Sequence, residues 1–145
     1  MFTGSLVALA TPFDSDNRVD YASLKGLIDF HAAAGTDGLV IAGTTGEAAT
    51  LTRTEHAELI AKAVEISDGR LPVVAGTGSN ATQQTIDLSL QVAPSGIDAY
   101  LVVVPYYNKP VQEGIVQHFT AIADAVSKPV MMYNVPGRTV ADMQA

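Results

Sequence analysis

Short apolar runs alternate with longer amphipathic stretches along the whole chain. Residues 4–10, 37–42, 71–75, 97–104 and 130–133 are continuous apolar runs bounded by turn residues, and each is predicted to be a strand. Between them the apolar positions recur at helical spacing. Tyr21, Leu24, Leu27, Ile28 and His31 share one helix face, with Asp20 as its cap and Gly35 as its stop. A second helix is predicted over 52–67, where Thr52-Arg53-Thr54-Glu55 reads as a capping box and Gly69 lies just past the end. Further helices are predicted over 80–92, ending before Pro94-Ser95-Gly96, and over 111–126, with Ile115, Phe119, Ile122 and Val126 at core spacing. Pro136-Gly137 should turn the chain, and residues 139–145 should begin another helix.

The pattern is β-α four times and then one more strand, with strands returning about every thirty residues, as in βαβ units. Runs that are apolar throughout, rather than alternating, belong to strands covered on both faces. The expectation is a parallel sheet with crossover helices. Two architectures fit: an open doubly wound sheet, or part of an eight-stranded (β/α) barrel, which typically needs about 250 residues. On pattern alone the open sheet is favoured, because five strands complete it.

Composition narrows the partners. A hydrophobic content of 48% with 16% charged residues indicates a globular chain, and 145 residues suit one domain. The net charge of −7 argues against nucleic acid and anionic membranes. No run approaches the roughly 18 apolar residues of a membrane span, and the N-terminus has no signal-peptide pattern. With no cysteine there can be no disulfide or thiolate metal site, as suits a cytoplasmic protein. His31, His56 and His118 sit on three different helices without metal-ligand spacing, so neither a metal nor a cofactor is expected; His31 and His118 are expected to pack.

In either architecture the carboxyl ends of the strands share one face, where ligands bind. Thr11-Pro12, Gly43-Thr44-Thr45-Gly46-Glu47, Gly76-Thr77-Gly78, Tyr106-Tyr107-Asn108 and Tyr133-Asn134 lie there. Hydroxyls thus converge from several strands, and three of the five tyrosines are among them. Each tyrosine taken singly could be a wall residue with a wet tip. Together, threonine and tyrosine hydroxyls could relay a proton, because each both donates and accepts. Glycines beside Thr44 and Thr45 would let the backbone approach a small carboxylate closely. Arg138, in the loop after the fifth strand, is suited to a bidentate hold on a carboxylate. Gly76-Thr77-Gly78-Ser79-Asn80-Ala81 matches G-x-G-x-x-A, but the acid about twenty residues on, Asp98, opens a strand rather than closing one, so it reads as a tight turn and not a dinucleotide site.

Gly43-Thr44-Thr45-Gly46-Glu47, Pro105-Tyr106-Tyr107-Asn108-Lys109-Pro110 and Tyr133-Asn134-Val135-Pro136-Gly137-Arg138-Thr139 together closely resemble the dihydrodipicolinate synthase family. The resemblance runs over the whole chain, from Phe2-Thr3-Gly4-Ser5 onward. The sister N-acetylneuraminate lyases usually carry serine at the first threonine and lack the tyrosine-pair and arginine motifs. The resemblance implies a (β/α)8 barrel, of which residues 1–145 would be the N-terminal part of one domain, about five strands and four helices. It implies a Schiff-base lyase that condenses pyruvate with aspartate semialdehyde in lysine and diaminopimelate biosynthesis, commonly a cytoplasmic homotetramer. By position, Thr44, Tyr133 and Tyr107 would form the proton relay, with Tyr107 reaching a neighbouring subunit's site. The backbone at Thr44 and Thr45 would hold the pyruvate carboxylate, and Arg138 the carboxylate of the aldehyde. Lysine feedback in sensitive members would use Ala49, His56, Asn80, Gln84 and Tyr106. Sensitive bacterial members usually carry an acid at Gln84, and the neutral amide here lacks the charge that would hold the effector's ammonium.

One element of the family pattern is missing. The Schiff-base lysine lies on strand six, and the lysines here are Lys25, Lys62, Lys109 and Lys128, of which only Lys109 is expected on the ligand face. The expectation is that residues 1–145 alone are inactive, and that the unpaired edges of strands one and five recruit partners. A non-catalytic half-barrel and a sister pyruvate-dependent aldolase are the alternatives.

Overall fold

The computed structural model describes residues 2–144. The element order is β1 (Leu6–Ala8), α1 (Tyr21–Ala33), β2 (Gly38–Ile41), α2 (Arg53–Ser67), β3 (Val73–Gly76), α3 (Thr82–Val92), β4 (Ala99–Val103), α4 (Gln112–Ala125), β5 (Val130–Tyr133) and α5 (Pro136–Thr139), with short 3-10 turns at Ala48–Thr50 and Ala93–Ser95. Local chemistry accounts for the helix starts. The Asp20 carboxylate accepts from the N–H groups of Ala22 and Ser23 at the head of α1. Thr52 and Glu55 form the reciprocal capping box of α2, whose end is closed by Asp68 and Gly69 at positive φ.

All strand pairs are parallel, and their order across the sheet is β1-β2-β3-β4-β5. That order corrects the open doubly wound expectation. A doubly wound sheet reverses its strand order and carries helices on both faces. Here the order never reverses, and α1 to α4 pack in sequence against one another. Leu39, Ile41, Val73, Ala75, Tyr100 and Val102 bury one sheet face beneath Ile28, Leu59, Ile60, Leu88, Ile115 and Ile122 of the helices. The alternate positions Val40, Val74 and Ala99 form a smaller cluster on the other face, with Phe2, Leu6 and Leu101. The sheet is a curled half-barrel, with the helices outside and its concave face carrying the second cluster.

The expected helix at 139–145 is also corrected. Pro136 and Gly137 do not merely turn the chain; they open the single turn α5, which stops at Thr139, and residues 140–144 are irregular. Pro136 is well placed at the first turn because its missing N–H would be unpaired there anyway. Val140 follows at φ 63°, and the buried Thr139 hydroxyl bonds to the Ala141 carbonyl at 2.7 Å. Ala145 lies outside the described residues. The strands are also shorter than the apolar runs, because residues such as Asp37, Leu71 and Ile97 lie just before the ladder pairs begin.

Backbone approach is closest where β2 and β3 end. A Cβ at Gly76 would lie 2.2 Å from the carbonyl oxygen of Ala42. Replacing Gly76 with alanine should therefore cost at least about 3 kcal/mol in a urea titration, because rigid backbone must move. Gly26, exposed within α1 with open space around its Cβ, is the control. There alanine should stabilise the protein by about 0.5–1 kcal/mol.

Candidate active site

The carboxyl ends of β2 to β5 open into a cleft of about 830 Å³. Its lining includes Thr44, Tyr106, Tyr107, Tyr133 and Arg138, and, further along, Ala49, His56 and Gln84. Thr45 and Asn80 are not part of the lining. Thr45 is exposed beside Thr44, and Asn80 lies half-buried ahead of α3. Thr11 turns away from ligand duty: its buried hydroxyl donates to the carbonyl of Gly46 at 2.7 Å.

That bond belongs to a loop held from several sides. Gly46 packs so tightly that a Cβ would sit 3.0 Å from the Leu9 carbonyl oxygen and 3.1 Å from the Ala42 nitrogen. Its role is close approach, not a left-handed turn. The positive φ values fall instead on Ala42, at 54°, and Glu47, at 58°. Within the loop, Glu47 N–H donates to Thr44 and Ala48 N–H to Gly43. Among the described residues the N–H groups of Thr44 and Thr45 donate to nothing, so both are available to an acceptor.

Tyr133 closes β5 in register with Val103, and its carbonyl accepts from Val104 N–H at 2.9 Å. Tyr107 is 87% exposed, with φ 72°. Asn108 N–H donates to the Tyr106 carbonyl at 2.9 Å, closing a three-residue γ-type turn around Tyr107. A bulky residue in this region costs on the order of 1–3 kcal/mol and persists only where its surroundings hold it. Thr44, Tyr107 and Tyr133 are brought to one cleft, but their hydroxyls form no hydrogen bond with one another among the described residues. Arg138, on α5, is exposed; the ion pairs of the described residues use Arg18, Lys25, Lys62 and Arg70 and leave its guanidinium unpaired.

Buried polar groups set the floor and one wall. His56, on α2, is buried and bonds through Nε2 to the Gly76 carbonyl at 2.7 Å; a carbonyl only accepts, so Nε2 carries the proton. Ser89 of α3 donates to the Thr77 hydroxyl at 2.8 Å. These contacts, and the apolar lining from Leu88, Leu101, Val103 and Val135, were missed in the sequence reading, which placed Leu88 and Leu101 only within regular elements. Asp98 accepts from Val73 N–H at 2.8 Å at the amino ends of the strands, away from the cleft. Among the described residues no cluster of three His, Cys, Asp or Glu could hold a metal, and no helix is long and apolar enough to cross a membrane.

His118 is buried on α4; its Nδ1 shares a hydrogen bond with the Thr82 hydroxyl at 2.8 Å, and its Nε2 has no partner among the described residues. His31 is half-buried against Thr36. Burial pushes the pKa of His118 below its ordinary 6.5. Burial does the same to His56, opposed by its bond to Gly76 and reinforced by the Arg53 charge. The unfolded chain then binds more protons than the folded one as pH falls from 6.5 toward the depressed folded values. This stabilisation is complete above 6.5 and is lost on acidification below it. Urea unfolding at a series of pH values should show a plateau above about pH 7 and a decline below 6.5. Replacing both histidines with glutamine should flatten that decline.

Residues 1–145 match the model of the dihydrodipicolinate synthetase family. A 4-hydroxy-tetrahydrodipicolinate synthase of Pseudoalteromonas atlantica is 58% identical over 143 residues, which is 99% of this chain and 49% of that protein. The crystal structure of dihydrodipicolinate synthase from Aquifex aeolicus superposes with a TM-score of 0.95 at 48% identity, covering 98% of this chain and 48% of that one. A chloride-inhibited dihydrodipicolinate synthase from Acinetobacter baumannii, complexed with pyruvate, superposes at 0.96 with 47% identity, covering 99% and 49%. The chain spans about half the length of the curated relatives it matches. Because the family model matches residues 1–145, the chain belongs to the dihydrodipicolinate synthetase family.

Proposed function

We propose that residues 1–145 supply the N-terminal part of a Schiff-base lyase site that condenses pyruvate with aspartate semialdehyde. The observation that carries this reading is the gathering of Thr44, Tyr107, Tyr133 and Arg138 in one cleft at the strand carboxyl ends. In this reading the free N–H groups of Thr44 and Thr45 receive the pyruvate carboxylate. The pyruvate carbonyl condenses with a lysine amine and loses water; loss of a methyl proton gives the enamine, which attacks the aldehyde carbon. Thr44 and Tyr133, with Tyr107 reaching in from a neighbouring subunit, carry protons between these steps, as hydroxyls that both donate and accept can. Arg138, unpaired and exposed at the rim, takes the carboxylate of the aldehyde substrate bidentately. Family membership supports the reaction class, and the pyruvate complex of a relative supports the first substrate. A sister aldolase acting on a different aldehyde would share every step before the attack.

The nucleophile is proposed to come from outside these residues. Lys25 and Lys62 pair with Asp29 and Glu65 on helix surfaces. Lys128 is exposed before β5, and Lys109 is exposed in the β4–α4 loop. None of the four lines the cleft. An activated lysine requires desolvation or a neighbouring cation. This observation also favours the second reading, a half-barrel without catalysis of its own. Borohydride trapping with pyruvate, followed by peptide mapping, separates the possibilities. No specific adduct is expected on residues 1–145, and a single adduct is expected on a form extended through a sixth strand. One adduct on Lys109 or Lys128 of the shorter chain would overturn the assignment.

A further inference from the structure

The loop from Pro105 to Pro110 carries Tyr107 and, although Pro105 is buried, has few polar ties to the rest of the described residues. Tyr107 and Lys109 both have positive φ, at 72° and 46°, on either side of Asn108. Tyr107 and Lys109 are exposed, and neither side chain makes a hydrogen bond among the described residues. The γ-type turn between Tyr106 and Asn108 is internal to the loop and cannot place it against the rest of the protein. Among the described residues one hydrogen bond ties residues 105–110 to another segment. The Asn108 side-chain amide donates from Nδ2 to the carbonyl oxygen of Asn80 at 3.1 Å.

Asn80 is itself anchored. It lies between Gly78, whose backbone is packed against Val102 and Val103 so closely that a Cβ would sit 2.3 Å from the Val103 nitrogen, and α3. The neighbouring Ser79 N–H donates to the buried Thr85 hydroxyl at 2.9 Å. The acceptor of the Asn108 bond is thus part of rigid framework, while the donor is part of a strained loop. Pro105 and Pro110 limit the backbone at both ends and remove two donors that could otherwise have tied it.

We propose that Asn108 is a positioning residue: its bond to the Asn80 carbonyl holds the strained turn that presents Tyr107. This rests on the reading of Tyr107 as a member of the proton relay, but the structural half of the proposal stands without it. Strain favours release of the turn, and a single partly exposed hydrogen bond opposes it, so the two are of comparable size. Removing the donor should shift the loop toward relaxed conformations without touching the core.

The test uses two variants. Asn108→Ala removes the amide, and Asn108→Asp keeps its shape but cannot donate. On the 145-residue chain, chymotrypsin requires an extended segment around Tyr106 and Tyr107, which the turn denies it. Both variants should be nicked there about tenfold faster than the wild type, with the melting temperature lowered by no more than a few degrees, as loss of one hydrogen bond of ordinary strength implies. Equal nicking rates would overturn the proposal whatever the loop's function. On a form extended to carry the trapping lysine, both variants should lower kcat with little change in the pyruvate KM. They should also lower it far less when Tyr107 is already phenylalanine, because the two changes then remove the same function. Faster nicking with kcat unchanged, in an enzyme that Tyr107→Phe does impair, would overturn the positioning role while leaving the relay reading intact. A Tyr107→Phe enzyme with normal kcat would instead remove the relay reading, and the functional half of the proposal with it.

Discussion

Parallel pairing of each strand with the next in sequence is the constraint on which the remaining structure depends. It forces every connection to cross over on one face, because a right-twisted strand and a right-handed crossover return the chain that way. The four long helices consequently share the convex side, and every β-to-α loop emerges at the same edge. Residues far apart in sequence, such as Thr44, Tyr107 and Tyr133, become neighbours around one cleft for this reason alone. The tight backbone contact of Gly76 with Ala42 fixes the spacing of β2 and β3 at the point where the cleft begins.

Loops built on that edge are anchored to different degrees. The Thr44 loop is clamped by the Thr11 hydroxyl, by the close packing of Gly46 and by two internal turns. Its free N–H groups are therefore preorganised, which is the condition for stabilising an anion without reorganisation at the moment of binding. The Tyr107 loop is strained, and among the described residues one side-chain hydrogen bond ties it to another segment. Arg138 sits on one helical turn, and its guanidinium makes no ion pair among the described residues. Under the proposed two-substrate reaction, a clamped loop beside groups with fewer ties would let a second substrate enter after the first is held.

Much of this was legible in the sequence where the physics is local. The cap at Asp20, the capping box at Thr52 and the fifth strand at residues 130–133 agree with the observed elements because side-chain chemistry and apolar runs decide them nearby. Strand order was not legible. Runs that are apolar throughout fit a doubly wound sheet as well as a barrel, since both bury two faces, and only non-local pairing separates them. The resemblance carried by the tyrosine and arginine motifs gave the right architecture where periodicity favoured the wrong one. Glycine was a poor guide to positive φ in the Thr44 loop: Ala42 and Glu47 adopt it, while Gly46 serves close approach. The helix expected over residues 139–145 is absent from 140–144, where the Thr139 hydroxyl bonds to the Ala141 carbonyl just past the end of α5.

Under the proposed function, this cleft receives a small keto acid through the backbone of the Thr44 loop. Titrating pyruvate into the isotope-labelled chain, and following each amide by two-dimensional NMR, tests it most directly. The largest shifts are expected at the N–H groups of Thr44 and Thr45, smaller ones at Tyr133 and Arg138, and none around Asp98 at the opposite strand ends. Shifts centred on the Asp98 end, or spread evenly over the surface with Thr44 and Thr45 unmoved, would contradict it.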